Sequence, residues 1–150
     1  MDAVFCIFRP PLESDIPALH AICRPDAPLS ETTELVNRSM RLSHQQRGAG
    51  LVGVVDEHPC AFGLLTRWPL VGEISDLMVR EDLRGRGIGT RLIAELTQIA
   101  AQMQIQTLEI GVMASNSRAL ALYQRLGFVE HRRLTIQVHS QPETIIYLQK

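Results

Sequence analysis

The segment Arg84-Gly85-Arg86-Gly87-Ile88-Gly89-Thr90 constrains the fold more than any other part of the chain. It joins a strand-like stretch, Glu73 to Val79, to the strongest helical pattern in the sequence. That pattern runs from Ile88 to Met103, with apolar residues at Ile88, Leu92, Ile93, Leu96, Ile99, Ala100 and Met103. Alternating glycines let a backbone turn tightly and let a ligand come close. The first N–H groups of the helix have no intrahelical acceptor, and with the helix dipole they form a site for anionic oxygens. Arg84 and Arg86 add positive charge. The expectation is a phosphate or pyrophosphate cradle, against a plain strand-to-helix turn with solvent-facing arginines. A Walker loop is excluded, because no Gly-Lys-Ser or Gly-Lys-Thr closes the segment. A dinucleotide fingerprint is excluded because Gly85 and Gly87 fill its first two glycine positions but Thr90 takes the third.

The elements around this turn alternate. A short apolar strand ends at Arg9-Pro10-Pro11. Ser14 or Asp15 is placed to cap a helix with Pro17 in its first turn and Ile16, Leu19, Ile22 and Cys23 as its buried stripe. Ser30 is placed to cap a second, more polar helix to about Gln46, with Leu35, Val36 and Met40 on one side. Gly50 to Val55 and Cys60 to Arg67 read as a hairpin around Asp56-Glu57-His58-Pro59. Thr107 to Met113 is a strand with Leu108, Ile110 and Val112 facing one way. Asn116 caps a helix to Leu126, and Gly127 stops it. Phe128 to Val138 and Thr144 to Leu148 form a closing hairpin with Ser140-Gln141-Pro142 near its turn. The order is β-α-α-β-β-β-α-β-α-β-β. It predicts an α/β fold with a mixed, mostly antiparallel central sheet flanked by helices, and a β-α-β crossover from Glu73 to Met113.

Composition narrows the class. The 150 residues suit one domain, 1–150. Hydrophobic content of 45% argues against a disordered chain. Lys and Arg number 15 against 16 Asp and Glu, so the basic excess of a duplex-coating protein is missing and nucleic acid is not an expected partner. No apolar run approaches the roughly 20 residues of a membrane span. The run Val4-Phe5-Cys6-Ile7-Phe8 is too short for a leader, and Asp2 before it has the wrong sign. Cys6, Cys23 and Cys60 include no CxxC pair, so a reducing, cytoplasmic setting is expected. The five histidines show no HExxH-type spacing, and no metal is expected.

Three blocks then point to one family. Arg84-x-x-Gly87-x-Gly89 resembles the acyl-CoA pyrophosphate signature of the GNAT family, the Gcn5-related N-acetyltransferases. Glu73-Ile74-Ser75-Asp76-Leu77-Met78-Val79 resembles the strand before it. Ala114-Ser115-Asn116-Ser117-Arg118-Ala119, with Leu122-Tyr123 and Leu126-Gly127-Phe128, resembles the family's second block. The match is clear from Glu73 to Phe128, and the element order extends it over the chain.

The resemblance implies the GNAT fold and direct transfer of acetyl from acetyl-CoA to a primary amine. It implies that the backbone of Arg84, Gly85, Arg86, Gly87, Ile88, Gly89 and Thr90 binds the diphosphate. The pantetheine arm is implied to follow Leu77, Met78 and Val79, where this strand splays from the next, with a contact from Asn116. A strand N–H near Leu77 would polarise the thioester oxygen. An attacking amine with a pKa of about 10.4 must first lose a proton. Glu73 resembles the family's usual base position, with Asp76 and Glu109 as alternatives. Tyr123 resembles the family's general acid. With a pKa of about 10 against about 8.5 for a thiol, its contribution is a hydrogen bond to the developing thiolate more than full transfer.

The acceptor is expected to be a small-molecule or peptidyl amine, met by the loop Pro25 to Ser30, the second helix and the C-terminal hairpin. Ala114 to Phe128 is reminiscent of the ribosomal-protein N-terminal acetyltransferases in this family, whereas Arg133-Leu134-Thr135-Ile136 lacks the paired tyrosines associated with peptide N-termini. A non-catalytic acyl-CoA sensor is the other alternative, and homodimer formation stays open. Trp68 is a candidate for the acceptor cleft. His131-Arg132-Arg133 reads as a solvated basic cluster, and the cysteines read as small hydrophobes in place of nucleophiles.

Overall fold

The computed structural model describes residues 4–150; Asp2, invoked against a leader, lies outside the described residues. Seven strands join in one sheet: β1 (Ile7–Arg9), β2 (Gly48–Val55), β3 (His58–Arg67), β4 (Gly72–Val79), β5 (Leu108–Met113), β6 (Val129–Val138) and β7 (Gln141–Gln149). Their order is β1-β2-β3-β4-β5-β7-β6. Every pairing is antiparallel except β4 with β5. A parallel pair needs a crossover, and α3 (Ile88–Gln102) supplies it. The mixed, mostly antiparallel α/β architecture is the one the element order predicts.

Helices cover both faces. Along β2 and β3 the side chains alternate between two cores. Leu51 and Leu65 join Leu92 and Leu96 of α3, while Val52 and Leu64 join Leu19 of α1 (Ile16–Cys23) and Val36 of α2 (Leu29–His44). Both faces of these strands are therefore dry, which explains why they read as near-continuous apolar runs.

Several boundaries differ from expectation. The turn of the first hairpin shrinks to Asp56 and Glu57, both with positive φ, and that of the second to His139 and Ser140. Each is a two-residue turn whose twist matches the flanking strands. Pro59 and Pro142 belong to β3 and β7, one residue inside each strand start, where a proline is tolerated. Met40 is 41% exposed, so α2 does not bury it beside Leu35 and Val36; Thr32 and Ser39 fill the buried stripe in its place. Ser39 is accommodated because its hydroxyl donates to the Val36 carbonyl at 2.7 Å.

The expected helix caps differ as well. Helix α2 starts after Pro28, so Ser30 lies inside it. Neither Ser14 nor Asp15 caps α1 by a side-chain bond. The Asp15 carboxylate is committed elsewhere: it accepts from both Arg9 Nη atoms, at 2.7 and 2.8 Å, and from the Leu12 N–H at 2.7 Å.

Candidate active site

The site begins where β4 and β5 part. The two strands pair only at Gly72–Leu108, Glu73–Glu109 and Ile74–Ile110. Beyond that rung β5 continues against β7 to Met113, while β4 bulges. Asp76 and Leu77 together face Gly63 of β3, and Asp76 takes a φ of 56°. A Cβ at Gly63 would come within 2.9 Å of Leu77 Cδ2 and 3.0 Å of Leu96 Cδ1, so the glycine makes room for the bulge. The far end of β4 thus loses its β5 partner, and its peptide groups line an opening in the sheet.

The glycine turn closes one end of that opening. Gly85 and Gly87 have φ values of 75° and 82°. Gly87 precedes the first residue of α3, and the first intrahelical bond runs from the Arg91 N–H to the Gly87 carbonyl at 3.0 Å. The N–H groups of Ile88, Gly89 and Thr90 therefore point out of the helix end. A Cβ built at Gly87 meets nothing within 4 Å, and one at Gly85 meets Arg118 Nη2 at 3.2 Å. The cradle is open on its outer side and bordered by a cation. These residues fit a diphosphate.

Helix α4 (Ser117–Arg125) forms the facing wall. Asn116 caps it, accepting from the Ala119 N–H at 3.1 Å. Its C-terminus closes with the Phe128 N–H on the Tyr123 carbonyl at 3.0 Å and the Gly127 N–H on Gln124, with Gly127 at φ 96°. The same closure sets the Phe128 ring edge-on to Tyr123, centroids 6.4 Å apart. Tyr123 is only 8% exposed, and burial raises its pKa above the usual phenol value. Its hydroxyl is a neutral donor at physiological pH.

These three parts enclose a cavity of about 820 Å³. Leu77, Met78, Val79, Arg84, Gly85, Gly87, Ile88, Gly89, Thr90, Asn116 and Tyr123 all line it. Arg86 and Glu73, singled out by the sequence, lie outside that lining. The Glu73 carboxylate accepts from the Trp68 indole at 3.2 Å, and Trp68 itself is 44% exposed. Asp76 is in the wall. Glu109 is buried and engaged, with Arg132 at 3.3 Å and Gln149 at 2.9 Å.

Sequence reasoning assigned no role to Arg118 and Arg125, which enter the cavity wall with Leu122. Their spacing of four and three along α4 places them on one helix face, a signal legible once that helix is known to face the cradle. Cys23 also lines the cavity. Burial pushes its thiol up to about 11 despite Arg84 and Arg80 nearby, so it is no thiolate near neutral pH. Among the described residues, no group of three or more His, Cys, Asp or Glu is arranged to hold a metal, and no helix is long and apolar enough to cross a membrane.

Comparison with known proteins agrees with this architecture. The Acetyltransferase (GNAT) family matches residues 16–128. The chain belongs to the GNAT acetyltransferase family. Among its relatives is an uncharacterized N-acetyltransferase of Methanocaldococcus jannaschii, 42% identical over 60 residues, which are 40% of this chain and 26% of that protein. The chain thus matches about a quarter of that relative's length. Solved structures match nearly end to end. A ribosomal-protein-alanine N-acetyltransferase from Brucella melitensis superposes with a TM-score of 0.78 at 25% identity, covering 96% of this chain and 98% of that one. A putative acetyltransferase from Salmonella typhimurium, solved with its cofactor acetyl-CoA, gives 0.77 at 16% identity, covering 97% and 93%.

Proposed function

We propose that this GNAT protein moves an acetyl group from acetyl-CoA to a primary amine. The observation that carries the reading is one cavity joining the N-terminal amides of α3, the end of β4 that has left β5 and the Tyr123 face of α4. Acetyl-CoA supplies an activated acyl carbonyl. The amides from Gly85 to Thr90, with Arg84 and Arg118 beside them, hold the diphosphate. Peptide groups from Leu77 to Val79 and the Asn116 side chain bind the pantetheine amides, and a β4 N–H near Leu77 faces the carbonyl oxygen where charge grows. Arg86 lies outside the cavity lining and borders the turn between Gly85 and Gly87.

Proton removal falls to a carboxylate. Asp76 is favoured because it is in the cavity wall, whereas Glu73 lies outside that wall and accepts from the Trp68 indole. The carboxylate takes one proton from the ammonium before attack and passes it to solvent; as the N–C bond forms and the C–S bond breaks, it takes the second proton that the nitrogen must shed. The sulfur leaves with its electron pair, and the Tyr123 hydroxyl donates a hydrogen bond to it. A thiol-release assay with acetyl-CoA against amines, polyamines, amino acids and peptides tests this, together with calorimetry of coenzyme binding. Binding without turnover across the panel would replace the enzyme with an acyl-CoA sensor. The likeness to the Brucella enzyme supports a second acceptor class, a peptide amine.

A further inference from the structure

A second cavity, of about 320 Å³, adjoins the first. Asp76 and Arg24 line both. Its other wall is one face of α2, and its size suits a small ligand.

The charges around this cavity do not all cancel. Arg24 is paired with Glu31 at 3.6 Å, and Glu34 is held by Arg41 from outside at 2.7 Å. Two charged groups remain. Arg38 is half-buried on α2 and, among the described residues, has no carboxylate within ion-pair distance. Asp76 is half-buried on the β4 bulge, and among the described residues its carboxylate accepts only the neighbouring Ser75 hydroxyl, at 2.9 Å. A cation and an anion thus line one small cavity without meeting each other. Partly desolvated charges left in this way favour a ligand that completes both. The anion is on the side shared with the larger cavity, and the cation is on the helix side.

We infer that the acetyl acceptor is a small zwitterion of the amino-acid class, its amine on Asp76 and its carboxylate on Arg38. The inference rests on the acetyl-transfer reading above and adds the acceptor's class and its specificity residue. A guanidinium grips a carboxylate through two parallel N–H bonds, a geometry an amide or a bare amine cannot return. A polyamine would bring a second cation toward Arg38. A peptide N-terminus would bring a neutral carbonyl to the same place.

The test is a steady-state assay on paired acceptors: each α-amino acid beside its amide and its decarboxylated amine. The native protein should prefer the carboxylated member by roughly tenfold or more in kcat/KM, about 1.4 kcal/mol. R38Q should raise KM for that member with kcat largely kept, leave the amide unchanged, and so erase the preference. R38K should restore part of it. Equal kcat/KM across each pair, or a preference that survives R38Q, would overturn the inference while leaving acetyl transfer intact. Absence of thiol release with every amine, in protein that binds acetyl-CoA, would remove the transferase reading itself and this inference with it.

Discussion

Glu73 and Glu109 face each other on the middle of the three rungs that hold β4 to β5, one rung before the strands part. Their surroundings differ. Glu109 is neutralised by Arg132 and bonded to Gln149, while Glu73 has the Trp68 indole as its partner. Two carboxylates directly opposite each other would repel, and the Arg132 contact relieves this on one side. Neither lines the cavity that Asp76 enters.

That placement separates the candidate bases. Asp76→Asn should lower kcat/KM by about 10²-fold or more and remove the acid limb of its pH profile. Glu73→Gln should keep the limb if the proton passes to Asp76. Profiles of both variants decide it: a limb lost only in Glu73→Gln would move the role to Glu73.

Tyr123 presents a neutral hydroxyl because burial raises its pKa. Tyr123→Phe keeps the ring against Phe128 and loses only the donor. Turnover should drop by roughly 10²-fold with coenzyme affinity unchanged. Stopped-flow chemistry alongside calorimetry checks both halves, and a fully active variant would assign the ring to packing alone.

Gly87 combines a φ of 82° with open space around its missing Cβ. Gly87→Val should cost about 1–2 kcal/mol of stability from the positive φ. It should weaken acetyl-CoA by more than tenfold, about 1.4 kcal/mol, because the branched side chain fills the approach to the amides. Thermal melts and calorimetry separate the two effects. Unchanged affinity would mean that the diphosphate sits elsewhere.

Asp15 is a structural counterpart outside the site. The hydrogen bonds from Arg9, and then the Leu12 N–H, hold its carboxyl below the ordinary carboxylate value. A depressed folded pKa means that the folded state binds the proton less readily than the unfolded chain. The stabilisation is therefore fully present above the unfolded pKa of about 3.9 and is lost as pH falls through the lower folded value. Asp15→Asn should cost about 1–2 kcal/mol near neutral pH, by removing the charge from the acceptor of the Arg9 and Leu12 hydrogen bonds. It should also flatten the acid limb of stability. Urea unfolding at several pH values reads both.

Local chemistry made much of this legible in advance. The glycines of the turn, the α3 stripe, the Asn116 cap and the Gly127 stop act over a few residues, so sequence spacing alone predicts them. The GNAT signature likewise sits in contiguous blocks. Both hairpin turns read longer in the sequence than they are, because prolines one residue inside a strand read as turn residues. Met40 reads as part of the buried stripe because its type is apolar, whereas the stripe is completed by Thr32 and by Ser39, whose hydroxyl bonds to the Val36 carbonyl.

What only the tertiary structure decided is the arrangement of distant side chains. The order of the elements, their periods and the family were in the sequence, since each depends on neighbours along the chain. Which carboxylate enters the cavity depends on a one-residue bulge in β4 against Gly63, and a single extra residue redirects every side chain after it. That Arg38 from α2 and Asp76 from β4 line one cavity depends on how the helix packs across the sheet. No local pattern records such a pairing, because the two residues are brought together only when both faces of the sheet bury their apolar surface.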